Sequence, residues 1–95
     1  MTMKIKRVLW LVKGEVQGVG YRYFALHQAE RLSITGWVQN LVDGTVEIEA
    51  EGTDFQLDEF FSLLKKGPRF ADVTEVVLKE SEANTSRLHT HFFIR

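Results

Sequence analysis

Gly14-Glu15-Val16-Gln17-Gly18-Val19-Gly20-Tyr21-Arg22 lies between an apolar stretch and an amphipathic one, and its reading decides how the rest of the chain is arranged. Its three glycines permit positive φ and let backbone N–H groups approach a ligand, because no Cβ stands in the way. A helix starting near Tyr21 adds N–H groups without intrahelical partners and a partial positive charge. The combination makes an anion cradle, with phosphate as its natural guest. Arg22, in or just before the first helical turn, carries a planar guanidinium that can hold two phosphoryl oxygens at once. A nucleotide P-loop needs Gly-Lys-Ser/Thr at its end, whereas Tyr21-Arg22-Tyr23 stands here. A dinucleotide fingerprint needs a third glycine where Tyr23 stands. On spacing alone, a plain strand-to-helix turn with a solvated arginine remains the alternative.

Working outward, residues 5–12 read as a strand, and the unbroken run Val8-Leu9-Trp10-Leu11-Val12 predicts a central strand covered on both faces. Lys4, Lys6 and Arg7 before it form a solvated strand start and are assigned no role. After the glycine stretch, Tyr21, Ala25, Ala29 and Leu32 recur at helical spacing, with Gln28, Glu30 and Arg31 left for solvent, so a helix is predicted over residues 21–32. Its N-terminus points at the cradle. Tyr21, Tyr23 and Phe24 could touch a substrate's acyl part, but aromatics at helical spacing more often belong to the core and are placed there; His27 is placed at the surface or in packing.

Residues 35–50 read as a β-hairpin with Asp43-Gly44 as a two-residue turn. That turn puts Trp37, Leu41, Val46, Ile48 and Ala50 on one face and Asn40, Glu47 and Glu49 on the other, with Asn40 outside the main core. An asparagine near a turn also has a purely structural use, bonding its own backbone. A second helix carries its own punctuation: Thr53 and Gln56 at capping-box spacing, an apolar stripe of Leu57, Phe60, Phe61 and Leu64, then Lys65-Lys66-Gly67-Pro68. A strand over residues 73–78, a polar connection over 81–87 and a short strand over 91–94 complete the chain. His89 and His91 are two imidazoles without a nearby third ligand, so no metal site is expected. The order predicts an α+β, ferredoxin-like two-layer sandwich, βαββαβ plus a short C-terminal strand, with two helices on one face of a mostly antiparallel sheet.

With 95 residues, 44% of them apolar, the chain is read as a single small domain, residues 1–95. Zero cysteines removes disulfides, cysteine-ligated zinc and thiol nucleophiles together. A net charge of -1 gives no global basic field, so neither nucleic acid nor an acidic membrane is an expected partner. The longest apolar run, residues 8–12, is too short to span a bilayer, and no signal-peptide pattern opens the chain, so the expected location is the cytoplasm.

The stretch from Gly14 to Arg22 resembles the first signature of the acylphosphatase family, and Gly36-Trp37-Val38-Gln39-Asn40, followed by Gly44-Thr45-Val46 and Gly52, resembles its second. The resemblance runs from about Val12 to Pro68 and weakly on to Phe93-Ile94-Arg95. It implies hydrolysis of acyl phosphates to a carboxylate and inorganic phosphate, without cofactor or metal, by a monomer. It also implies that Arg22 anchors the phosphoryl group, that Asn40 positions the attacking water, and that Glu15, Val16, Gln17, Gly18, Val19, Gly20 and Tyr21 form the substrate-binding loop. Leu41-Val42 departs from the pattern, since some relatives carry hydroxyl residues there. In a ferredoxin-like topology the first and second strands run parallel, which brings the ends carrying Gly14 and Asn40 to the same edge. The alternative is a noncatalytic anion-binding or regulatory module of the same fold. An RNA-binding sheet is disfavoured, because Glu47, Glu49 and Glu51 would repel a phosphate backbone.

Overall fold

The structure, a computed structural model, describes residues 4–95. The elements are β1 (Ile5–Glu15), α1 (Tyr21–Arg31), β2 (Thr35–Asn40), β3 (Val46–Gly52), α2 (Asp54–Lys66), β4 (Asp72–Thr85) and β5 (Phe92–Ile94). They form a five-stranded sheet in the order β4-β1-β3-β2-β5, antiparallel except for β2 beside β5. Because β1 and β2 both pair antiparallel with β3, they run parallel to each other, and Glu15 and Asn40 end at the same edge of the sheet. The ferredoxin-like α+β architecture expected from the sequence is the one found.

Both helices lie on one face. Val8, Trp10 and Val12 of β1, Val46, Ile48 and Ala50 of β3, and Val38 of β2 are buried there with Tyr21, Ala25 and Ala29 of α1 and Leu57, Phe60 and Leu64 of α2. Phe60 sits at the centre, its ring 6.0 Å from Trp10 and 5.9 Å edge-on to Phe92. The start of α2 is the predicted capping box: Gln56 N–H donates to Thr53 Oγ1 at 3.2 Å, and Thr53 N–H donates to Gln56 Oε1 at 2.8 Å. Such a cap contributes about 1 kcal/mol.

Three expectations are corrected. First, β1 is not covered equally on both faces: Val8, Trp10 and Val12 are buried while Leu9 and Leu11 are half-buried, as befits a two-layer fold with helices on one side. Second, the hairpin is one residue out of the expected register. Asn40 pairs with Val46, Leu41 N–H donates to Thr45 O at 2.9 Å, and Gly44 N–H donates to Leu41 O at 3.2 Å. The loop is therefore three residues, Val42-Asp43-Gly44, with Gly44 in the left-handed region at φ 94°. Since side chains alternate with period two, the shift reverses every face assignment on β2. Asn40 joins Val38, Val46 and Ile48 on the helix-facing side, while Trp37 and Gln39 face away beside Glu49 and Glu47. Third, β4 runs on to Thr85, through most of the expected polar connection. An edge strand exposed along most of its length has a polar composition even though it pairs with β1, through three register shifts, as far as Thr85.

At the edge of the sheet opposite Asn40, the connection from β4 to β5 is pinned by Glu51, whose side chain is fully buried. Its carboxylate accepts from Leu88 N–H (2.6 Å), Thr35 Oγ1 (2.7 Å), His89 N–H (3.2 Å) and Arg7 Nη1 (3.2 Å). Burial pushes this carboxyl's pKa up, but the four donors outweigh burial and hold it below the ordinary range. His89 is bonded to Glu49 at 2.6 Å, and His91 Nδ1 lies 3.2 Å from Thr90 Oγ1. No helix among the described residues is long and apolar enough to cross a membrane.

Candidate active site

The end of β1, the glycine loop and the end of β2 enclose a hollow of about 130 Å³, lined by Val16, Gly18, Gly20, Tyr21, Arg22, Tyr23 and Asn40. Two left-handed glycines shape it. Gly18 (φ 73°) and Gly20 (φ 80°) take conformations that other residues enter only with strain, and around both there is open space rather than packed backbone. Gly20 is also the N-cap of α1. No side chain among the described residues caps that helix, and its first turn carries no acidic residue, so its partial positive charge is left uncompensated. The first bond of the helix is Phe24 N–H to Gly20 O at 3.0 Å, and the N–H groups of Gln17 to Tyr23 find no protein acceptor among the described residues.

Arg22 is half-buried at this helix start and makes no ion pair among the described residues. Across the hollow, Asn40 is half-buried and its Oδ1 is a buried oxygen without a hydrogen-bond partner among the described residues. An acceptor that finds no protein donor is open to a bond from a small molecule in the hollow. No hydroxyl follows Asn40 to supply a bond, since Leu41-Val42 comes next. The corrected register is what turns this amide toward the helix start.

The remaining loop residues have different surroundings. Val16 is buried and forms the floor, Val19 packs against the core, and Glu15 is exposed at the end of β1 opposite Asp72. Gln17 directs Nε2 away from the hollow, onto Leu41 O (2.7 Å) and Thr45 O (2.8 Å), and so ties the loop to the hairpin. The hairpin tip is itself fixed by Asp43, which accepts from Thr45 Oγ1 (2.6 Å) and Thr45 N–H (3.0 Å). Those two bonds lower the Asp43 pKa. Tyr21 is buried, donates to Leu64 O at 2.8 Å, and has its phenol pKa raised by burial. Of the expected binding loop, Val16, Gly18, Gly20 and Tyr21 line the hollow with Arg22 and Asn40; Glu15, Gln17 and Val19 do not.

Tyr23 is the residue that sequence reasoning placed wrongly. It is 61% exposed at the mouth of the hollow, not in the core. The signal was available: at about 100° per residue, position 23 lies roughly 200° round the helix from the Tyr21, Ala25 and Ala29 stripe. Larger hollows exist elsewhere, of about 630 Å³ near Glu30, Arg87 and His91 and about 330 Å³ beside Arg7 and Glu82. Their arginines, Arg87 and Arg7, are already hydrogen-bonded to protein acceptors.

Comparison with known proteins finds a family for the chain. Residues 8–94 match the family model described as Acylphosphatase. The acylphosphatase of Moorella thermoacetica is 44% identical over 93 residues, covering 98% of this chain and 97% of that protein. That of Chlorobaculum tepidum is 46% identical over 84 residues, covering 88% and 91%. The crystal structure of the acylphosphatase from Bacillus subtilis superposes with a TM-score of 0.86 at 38% identity, covering 98% of this chain and 99% of that one. With sequence match and fold in agreement, the chain belongs to the acylphosphatase family.

Proposed function

We propose that this chain hydrolyses acyl phosphates with Arg22 and the loop N–H groups as the phosphoryl anchor and Asn40 as the residue that positions water. The observation that carries this reading is the pairing, in one hollow, of a cation without a carboxylate partner and a buried acceptor without a donor. Phosphoryl oxygens receive hydrogen bonds from the N–H groups between Gln17 and Tyr23 and a two-pronged contact from the Arg22 guanidinium. Asn40 Oδ1 accepts a hydrogen bond from a water molecule and so turns a lone pair of the water oxygen toward phosphorus. The new P–O bond forms as the bond from phosphorus to the carboxylate oxygen breaks, that electron pair leaves on the carboxylate, and the water proton passes to the phosphate or solvent. Because a carboxylate leaves readily, positioning and charge stabilisation suffice without a strong base or covalent nucleophile.

The positive charge for this step comes from the chain itself, so turnover needs no divalent cation. Loop, anchor and water-positioning residue all come from one copy, which supports a single-domain monomer as the working unit; the cysteine-free composition suits the cytoplasm. Steady-state hydrolysis of acetyl phosphate by the purified protein in excess EDTA tests the reading. Turnover should persist. Phosphate binding without turnover would reduce the chain to an anion-binding module, and turnover lost to EDTA but restored by a metal would end the metal-free mechanism.

A further inference from the structure

The hollow of about 130 Å³ is far below the roughly 300–1,000 Å³ of pockets that enclose a drug-sized ligand. It has room for a phosphoryl group and little more, so the organic part of an acyl phosphate must lie on its rim. Tyr23 stands on that rim. Its neighbours in sequence are engaged elsewhere: Tyr21 donates to Leu64 O and Phe24 packs with its ring 6.1 Å from that of Tyr21. The Tyr23 ring, at 61% exposure, has no aromatic, cationic or hydrogen-bonding partner among the described residues. A lone exposed aromatic is ordinary on a protein surface. One whose first-turn position places it directly beside the anchoring arginine is not generic, because a phosphoryl group held at Arg22 carries its acyl substituent outward past this ring.

We propose that the Tyr23 ring is the acyl-binding rim of the site and makes the protein prefer aryl acyl phosphates to acetyl phosphate. Its use in turnover rests on the hydrolase reading above; its use in binding does not. A flat ring gains contact area and an offset-stacked or edge-on arrangement against Tyr23 that a methyl group cannot match, worth about 3- to 10-fold in affinity. Since that contact is made equally in the ground and transition states, the preference belongs in KM rather than kcat.

The test uses two non-hydrolysable ketophosphonates that differ only in the acyl end. Phenacylphosphonate and acetonylphosphonate replace the bridging oxygen of benzoyl and acetyl phosphate with CH2. Titration of the wild-type protein should give phenacylphosphonate an advantage of about 3- to 10-fold. The ratio should fall toward one in Tyr23→Ala and survive in Tyr23→Phe. A ratio near one in the wild type, or one unchanged in Tyr23→Ala, overturns the proposal. So does an equal loss in Phe70→Ala, an exposed aromatic outside the hollow, because general surface hydrophobicity would then carry the preference. Failure of both phosphonates to bind overturns the cradle and the rim together. A Tyr23-dependent ratio without hydrolysis of either acyl phosphate supports the rim and removes only the hydrolase reading.

Discussion

Gln17 Nε2 stands 2.7 Å from the carbonyl oxygen of Leu41, and the same nitrogen donates to Thr45 O at 2.8 Å. Both hydrogens of one amide thereby hold the glycine loop against the two backbone positions that flank the hairpin tip, one of them next to Asn40. In Gln17→Glu two carbonyl oxygens would face a carboxylate; each keeps a backbone donor, Gly44 N–H on Leu41 O and Leu41 N–H on Thr45 O, so the loss is that of the two side-chain bonds, about 1 kcal/mol each. Stability should fall by that order, and kcat should fall by about 10-fold because Arg22 and Asn40 lose their fixed separation. Thermal unfolding and steady-state kinetics on the same sample check this; wild-type values of both would show that the clamp is dispensable.

Arg22→Lys keeps the charge and removes the fork. An ammonium offers no planar pair of donors, so phosphate affinity and kcat/KM should both drop sharply, by about 10-fold or more, in a protein that still folds. Titration with inorganic phosphate is the direct readout, and unchanged affinity would take Arg22 out of the anchor.

Asn40→Ala separates function from stability. Removing a group that positions water should lower kcat by roughly 10²-fold, on the order of 3 kcal/mol, with much less effect on phosphate affinity. Because Oδ1 accepts no hydrogen bond from protein among the described residues, its removal breaks no protein contact, and the unfolding midpoint should hold steady. A lowered midpoint with near-normal kcat would point instead to a structural asparagine.

Glu51 sets a pH dependence far from the site. Its folded-state pKa lies below the ordinary value of 4.5, burial being outweighed by donors from Leu88, Thr35, His89 and Arg7. A depressed carboxylate contributes stability that is fully present above its unfolded pKa and is lost as pH falls through its folded pKa. Unfolding midpoints should therefore be flat from neutrality to about pH 5 and decline below it. Glu51→Gln should cost about 3 kcal/mol at pH 7 and flatten the acid limb, while phosphate affinity stays near wild type. A parallel acid limb in wild type and variant would assign the acid sensitivity to other carboxylates.

Local punctuation was legible wherever a residue's own chemistry forces the backbone. Thr53 and Gln56 announced their capping box, Gly67-Pro68 the end of α2, and Gly14 to Arg22 the turn from strand to helix. The hairpin was misread by one residue because Asp43-Gly44 suits a two-residue turn. The Asp43 carboxylate instead takes both donors of Thr45, and Gly44 supplies the left-handed residue after a turn centred on Val42-Asp43. Family resemblance named Asn40, while strand arithmetic put it on the wrong face; only tertiary pairing sets the register. The length of β4 was hidden for another reason. Its residues beyond Leu78 are exposed, so apolar periodicity had nothing to mark, although the backbone stays paired with β1 as far as Thr85. Tyr23 was lost by grouping three aromatics that the helix turns in different directions.

Among the described residues, a helix start without a side-chain cap and an arginine without a carboxylate partner stand together at one end of the molecule. On the proposed reading, an anion that takes up the loop N–H groups and Arg22 would bind the folded chain and find no comparable site on the unfolded one, so occupancy and folding would be linked by mass action. Inorganic phosphate at a hundred times its dissociation constant would add about 2.7 kcal/mol to the free energy of unfolding. For a domain of this length that is a rise in melting temperature of about 10 °C or more. On the proposed reading the product that competes with substrate for the cradle would also be a solute that stabilises the fold, and inhibition and protection should share one binding curve.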